Sequence, residues 1–223
     1  MCYSATTSLL TFVVMAISTI YLINRNYPND IWFSIIFISA GLMQLVEYFM
    51  WKDQSCGLTN HLSTISAFLI LLIQPLATLL GAYYFGDLVF DRKKLYPIIW
   101  IYGIIIGIIA IIGINYGRKN RLCSLPNGIH LDWDISKLFG GKMLIYIFFF
   151  LYYAMFFILL LSKPWYLGFI IATMLFGSIL FSVFFIKNPS WKSLWCWIVN
   201  FIPIIYIIIS YFRKILAQPN INL

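Results

Sequence analysis

Residues 117–142 read GRKNRLCSLPNGIHLDWDISKLFGGK. In a chain of 223 residues this is the one long stretch that does not look like membrane. It carries Cys123, His130, Asp132 and Asp134, with five of the fifteen Lys and Arg residues. Apolar runs lie on both sides of it. The chain is 62% hydrophobic and only 10% charged, with a mean hydropathy of +0.91. A soluble domain holds about 25% charged residues, so most of this chain cannot fold around an ordinary aqueous core. Apolar runs of about 18 residues or more, at about 1.5 Å of rise per residue, cross the hydrocarbon core as helices. The fold class is therefore all-α, a polytopic transmembrane helical bundle.

Working outward from that loop, the apolar runs divide into about seven spans. Four precede it (about 5–24, 31–51, 61–85 and 96–116) and three follow (about 143–161, 166–186 and 194–212). One mis-split Ile- or Phe-rich run would turn seven into six or eight. The whole of 1–223 reads as a single integral membrane domain, with 117–142 its extramembrane loop. No cation precedes the first span and no small-residue cleavage site follows it, so it reads as a retained helix and not a signal peptide. Span four carries Gly103 and Gly107 at the GxxxG spacing that lets helices approach closely, a spacing that in an Ile-rich helix is as often incidental. The spans can also be laid out as a 3+1+3 repeat. Spans two and six end in FMWKD and FFIKN, and spans three and seven each place an amide before a proline.

Alternation assigns the loops to two faces. Face A takes the N-terminus and the loops after spans two, four and six. It holds eight of the fifteen basic residues, so the positive-inside rule does not choose an orientation. The cysteines do. Cys2, Cys56, Cys123 and Cys196 all fall on face A or at the mouth of a span opening there. Four thiols on one face suggest two disulfides, which persist in an oxidising compartment. The expected orientation is N-terminus non-cytoplasmic, C-terminus cytoplasmic. Four cysteines allow three pairings; the preferred one joins Cys56 to Cys123 and Cys2 to Cys196. Cys196 also reads as a small buried hydrophobe. A metal site combining cysteines with His61 and His130 has no CxxC or HxxxH spacing behind it. The net charge of +8 is spread over many loops rather than gathered in a patch, which argues against a nucleic-acid partner. The last span has no interior lysine to hold retinal, and no cofactor is expected. The partners are the lipid bilayer and an unidentified small solute or ion, with the oligomeric state open.

Polar residues inside the spans carry the functional reading. Glu47 is the ionisable residue within a span, and Gln44, three residues earlier, shares its helix face. Gln74 precedes Pro75, and Asn200 precedes Pro203. Intramembrane ionisable groups mark functional sites by default, and broken helices beside polar side chains line transporter sites. Gln44, Glu47, Gln74 and Asn200 are therefore expected to converge on a polar pocket open to face A. The competing reading is that each makes a structural hydrogen bond between helices. Trp51, Trp133, Trp191 and Trp195 are expected to form a belt at face A, at headgroup level.

Four segments taken together resemble a known family: the Met-Cys-x-Ser start, DQSCGLTN at 53–60, CSLPNGIHLDW at 123–133 and KNPSWKSLWCW at 187–197. The family is an uncharacterised group of small multi-pass membrane proteins from bacteria, algae and large DNA viruses. It shares the Met-Cys-x-Ser start, a Cys-Ser…His-x-x-Trp loop and an Asn-Pro…Trp…Trp-Cys segment. Its span two tends to run Glu then Gln, the reverse of Gln44 and Glu47 here. The resemblance implies a topology and a set of cysteines, and no activity. Three functions remain. A small-solute transporter or channel leads. A receptor-like or membrane-assembly protein is second, suggested by seven spans, the disulfide and Pro203-x-x-Tyr206. A membrane-embedded enzyme is third, although two histidines are fewer than a ceramidase-like metal site needs.

Overall fold

A backbone in hydrocarbon must satisfy its amide groups internally, so apolar runs of this length become helices. A computed structural model describes residues 4–128, 130–185 and 191–216. Among these, the helices are α1 (Ala5–Arg25), α2 (Asp30–Lys52), α3 (Leu58–Phe85), α4 (Tyr96–Lys119), α5 (Lys142–Leu159), α6 (Trp165–Phe185), α7 (Trp191–Val199) and α8 (Ile202–Leu216). Six segments are long and apolar enough to cross a membrane: 5–25, 30–52, 58–85, 92–119, 165–185 and 194–211. The helix α5 is apolar but shorter. The protein is an all-α helical bundle of membrane character, with ends within a few residues of those expected for six of the seven runs.

The seventh run is broken. Pro203 lacks the N–H that would continue the ladder, and α7 stops at Val199. Asn200 and Phe201 turn tightly, their N–H groups donating to Trp197 and Ile198 three residues back. Pro75, by contrast, sits within a continuous α3.

The connectors sort into two faces, as alternation requires. Asn29, at φ +70° in the α1–α2 turn, donates through Nδ2 to the Lys163 carbonyl and accepts from the Asp87 N–H at 2.7 Å each. One buried amide thus joins the α1–α2, α3–α4 and α5–α6 connectors on face B. Beside it, Asp30 is fully buried and paired with Arg25 through two 2.7 Å hydrogen bonds. Asp30 also accepts from the Tyr206 hydroxyl at 2.9 Å, while Arg25 Nη1 donates to Ser210 at 2.6 Å. This network ties the first turn of the chain to α8.

Within the bundle α2 is central, packed between α1 and α3 with α7 also lying against it. Trp32, Phe33, Phe37, Met43 and Phe68 form its core. Gly81 makes room for Trp32, whose ring carbon would lie 2.8 Å from an added Cβ, and Trp32 donates to the Thr78 carbonyl. At Gly103 and Gly107 the GxxxG spacing makes no helix contact among the described residues. Gly103 and Gly107 have nothing within 4 Å of an added Cβ. The spacing recurs at Gly113 and Gly117, and there a Cβ would come within 2.4 Å of Phe68 and 2.9 Å of Ile65 on α3. The seam between α3 and α4 is made at the second pair.

The loop between α4 and α5 is not an open extramembrane strand of chain. It forms a hairpin, β1 (Leu125–Asn127) antiparallel to β2 (His130–Asp132), then a short 3₁₀ turn at Ser136–Phe139. Leu122, Leu131, Trp133, Ile135, Leu138 and Phe139 are all buried. Their apolar side chains turn the segment back onto the bundle as a cap over face A.

Candidate functional site

The cap is held by the α2–α3 turn. Asp53 ends α2, and its carboxylate accepts from the N–H groups of Asn60 and Gly57 and from the Ser55 hydroxyl, at 2.9–3.0 Å. These three donors hold the Asp53 carboxyl below its ordinary range. Asn60 is fully buried and faces the cap. Its Nδ2 donates to the Asp53 and Ser124 carbonyls, and its Oδ1 accepts from the Ser124 N–H at 2.8 Å. Thr64 and Ser124 share a 2.8 Å hydroxyl contact. Arg121 donates to the Cys56 carbonyl, and the Leu122 N–H donates to His61 Nδ1 at 3.1 Å. Cys56 and Cys123 are joined in a disulfide, with Cα atoms 5.3 Å apart. The expected Cys56–Cys123 bond is therefore present.

Beneath this clamp the cap reaches Glu47. Trp133 Nε1 donates to Glu47 Oε1 at 3.0 Å, and Gln44 Nε2 donates to Oε2 at 3.1 Å. Both Gln44 and Glu47 are fully buried, so the site does not open to face A at the carboxylate: the indole closes it. Gln74 does the same deeper in the bundle. Its Oε1 accepts from the Tyr152 hydroxyl at 2.6 Å, and its Nε2 donates to the Ser39 carbonyl at 3.0 Å. That joins α2, α3 and α5.

Between Trp133 and Tyr152 lies a partly open space of about 30 Å³, lined by Leu71, Trp133, Ile135, Phe139, Phe148, Phe149, Tyr152, Tyr153, Ile179 and Trp195. None of the four predicted polar residues lines it. Glu47 and Gln74 stand behind two of its walls instead, each bonded to an aromatic polar tip. Asn200, also fully buried, donates to the Cys196 carbonyl on its own helix, at the α7–α8 break, and its Oδ1 has no partner among the described residues. The structure thus shows an aromatic cavity with Glu47 and Gln74 bonded to its walls, while Asn200 lies at the α7–α8 break. Burying an amide or carboxylate without partners is costly, and the fold meets that cost by pairing Glu47 and Gln74 with the ring residues.

The four tryptophans of the expected face A belt differ in exposure. Trp133 and Trp195 are cavity walls and nearly inaccessible, Trp51 is half-buried, and the side chain of Trp191 lies outside the described residues. The exposed Trp100 and Trp165 sit at the other end, on face B. Cys196 is a buried thiol on α7, and its expected partner Cys2 lies outside the described residues. His130 is buried within the hairpin, and burial pushes its imidazole below the usual histidine range. Among the described residues no group of three or more His, Cys, Asp or Glu side chains comes together. Sequence reasoning missed Tyr152, Phe148 and Asp30. The first two look like ordinary span residues, and Asp30 like a loop residue.

No protein-family model, curated protein or solved structure matches this chain.

Proposed function

We propose that the protein is a membrane carrier for a small, largely apolar solute, bound in the aromatic cavity beneath the disulfide-clamped cap. The observation that carries this reading is the pair of buttressed walls. Glu47 fixes Trp133 and Gln74 fixes Tyr152, each through the polar tip of its ring. Ligand sites are mostly apolar and aromatic with a few placed polar groups; this one has that composition, and its volume of about 30 Å³ admits only the smallest solutes unless its walls move. The break between α7 and α8 supports movement over static binding. Trp195 is a cavity wall on α7, and discontinuous helices are a recurrent transporter element. The disulfide supports placing face A, with the N-terminus, on the non-cytoplasmic side. The pairing of segment 53–60 with 123–124 supports reading both as one motif, in keeping with the resemblance to the Met-Cys-x-Ser family.

The test is reconstitution into liposomes with a panel of small apolar and aromatic solutes. Saturable flux above protein-free liposomes is expected, reduced several-fold by Leu71→Trp, which fills the cavity. Saturable binding without flux assigns the site to a receptor-like protein. Absence of both removes the reading.

A further inference from the structure

Trp133 borders two spaces. Inward, it walls the aromatic cavity; outward, it borders a cleft of about 450 Å³ on the face A side of the cap, lined also by Asn127, Asp132, Asp134 and Ser136. Asn127 and Ser136 are exposed, so the cleft meets water. The backbone on either side of Trp133 is fixed. Asp132 is paired with Leu125 across the hairpin, and the Asp134 N–H donates to Ser124 Oγ at 3.2 Å. The part left to move is the side chain itself. An indole has a single donor, and this one is fastened to Glu47 Oε1 at 3.0 Å.

We infer that Glu47 is a proton-binding site, and that protonating it unlatches Trp133, so that the indole turns aside and the cavity opens to the face A cleft. This rests on the carrier reading for the cavity and names the gate of that same site and the ion that works it.

The latch suits the charged carboxylate. An ionised carboxylate only accepts hydrogen bonds, and each oxygen here takes a neutral donor, Trp133 Nε1–H on Oε1 and Gln44 Nε2–H on Oε2. A proton from hydronium in the cleft, which leaves water behind, turns one oxygen into a hydroxyl. The hydroxyl is itself a donor, and the charge that strengthened both bonds is gone. One bond has to weaken. Gln44 lies three residues away on the same helix and stays beside the carboxyl whatever its charge. Trp133 belongs to a separate segment, so its bond is the one given up. The latch therefore holds while Glu47 is ionised and is lost as pH falls through its titration. Carboxyl groups within spans are recurrent proton sites in transporters.

Other titratable groups stand at this end of the bundle. They are His61 of α3, His130, Asp132 and the Asp134–Lys137 pair of the cap, Cys196 of α7, and Tyr48, Lys52 and Asp53 of α2 itself. The charged residues of α1 and α8, Arg25 among them, belong to face B, β1 has none, and the Lys192 side chain lies outside the described residues. Of these, His130 and Asp132 share the hairpin with Trp133 and need their own controls.

The experiment uses the full-length protein with isotope-labelled tryptophan in lipid nanodiscs. NMR follows the indole N–H signals from about pH 8 to about pH 4, across the carboxyl range. Loss of one signal in Trp133→Phe identifies Trp133. That signal is expected to move in one transition toward the position of an unbonded indole. The transition should vanish in Glu47→Gln and persist in His130→Gln and Asp132→Asn. Opening is read from a cysteine at Leu71, on the cavity wall, treated from face A with an impermeant thiosulfonate and located by mass spectrometry. Relative to a cysteine at the exposed Gln54, its reaction should be several-fold faster at the acid end. In Trp133→Phe it should be equally fast at both ends, which tests the gate even where Glu47→Gln does not fold. Retention of the Cys56–Cys123 bond shows that each variant keeps its fold. A Trp133 signal that does not titrate, or that titrates in Glu47→Gln as before, overturns the proposal. So does reactivity at residue 71 that is the same at both ends in the parent protein. The two readings fail separately. A titrating latch without flux in the liposome assay keeps the gate and removes the carrier. Saturable flux with no titration of Trp133 keeps the carrier and removes the gate.

Discussion

At the scale of single residues, two buried carboxylates sit at opposite ends of the bundle and both are supported by aromatic side chains. Glu47 takes the Trp133 indole; Asp30 takes the Arg25 guanidinium and the Tyr206 hydroxyl. Removing one partner leaves a buried group short of a donor, which costs about 1–3 kcal/mol for a hydrogen bond and about 3–5 kcal/mol for a buried ion pair. Trp133→Phe should therefore lower thermal stability by the smaller amount, and Arg25→Met by the larger, both measured by melting in detergent. Asp53 adds a pH dependence. Its carboxyl is held below the ordinary range by hydrogen bonds, so it binds fewer protons folded than unfolded in the acid range. That contribution is complete above the unfolded carboxylate pKa of about 3.9 and is lost as pH falls through the lower folded value. Melting temperature recorded from neutral pH down to about pH 3 should drop at the acid end, and less so in Asp53→Asn.

At the scale of elements, the α3–α4 seam and the cap carry the sharpest expectations. Gly113 and Gly117 lie against Phe68 and Ile65, whereas Gly103 and Gly107 face open space. Overpacking a fitted contact costs about 1–3 kcal/mol, and an unopposed Gly→Ala in a helix gains about 0.5–1 kcal/mol. Gly113→Ala should thus destabilise while Gly103→Ala stabilises slightly, an opposite-sign pair read in one melting assay. The cap is closed by a disulfide between residues 67 apart. In the chain-entropy model such a loop contributes at most about 4 kcal/mol. Cys123→Ser should lower the melting temperature and make residues of 120–141 accessible to a protease added on face A. An unchanged digestion pattern would show that the Asn60–Ser124 hydrogen bonds hold the cap alone.

At the scale of the whole molecule, the described connectors gather at two ends. Asn29 gathers three connectors on face B, and Asn60 with the disulfide gathers two on face A. The orientation is testable with single cysteines at exposed positions of each end. A cysteine at Gln54 should react with an impermeant maleimide from outside the cell, and one at Lys93 only after permeabilisation. The reverse pattern would turn the protein over and leave the disulfide facing the cytoplasm.

Hydropathy alone determined the class, because an unsatisfied backbone in hydrocarbon is so costly that any apolar run of sufficient length becomes a helix. The same local logic marked the polar positions Gln44, Glu47 and Gln74, each visible as an exception in an apolar run, but it treated Pro75 and Pro203 alike and left the seventh run whole, whereas the chain breaks only at the second. Alternation then placed Cys56 and Cys123 on one face, and the structure bonds them. What those polar groups do was decided by tertiary contact. Nothing in the local sequence distinguishes Trp133 as a cavity wall from Trp133 as an interfacial anchor, since an indole has an apolar body and one donor in either role. The hairpin turned it inward, where its Nε1–H donates to Glu47 and its ring becomes a cavity wall. The two GxxxG pairs of α4 are equally indistinguishable by spacing, and only the position of Phe68 on a neighbouring helix selects Gly113 and Gly117. Periodicity within a chain reports which face is apolar. Which neighbour covers that face depends on how separate helices meet.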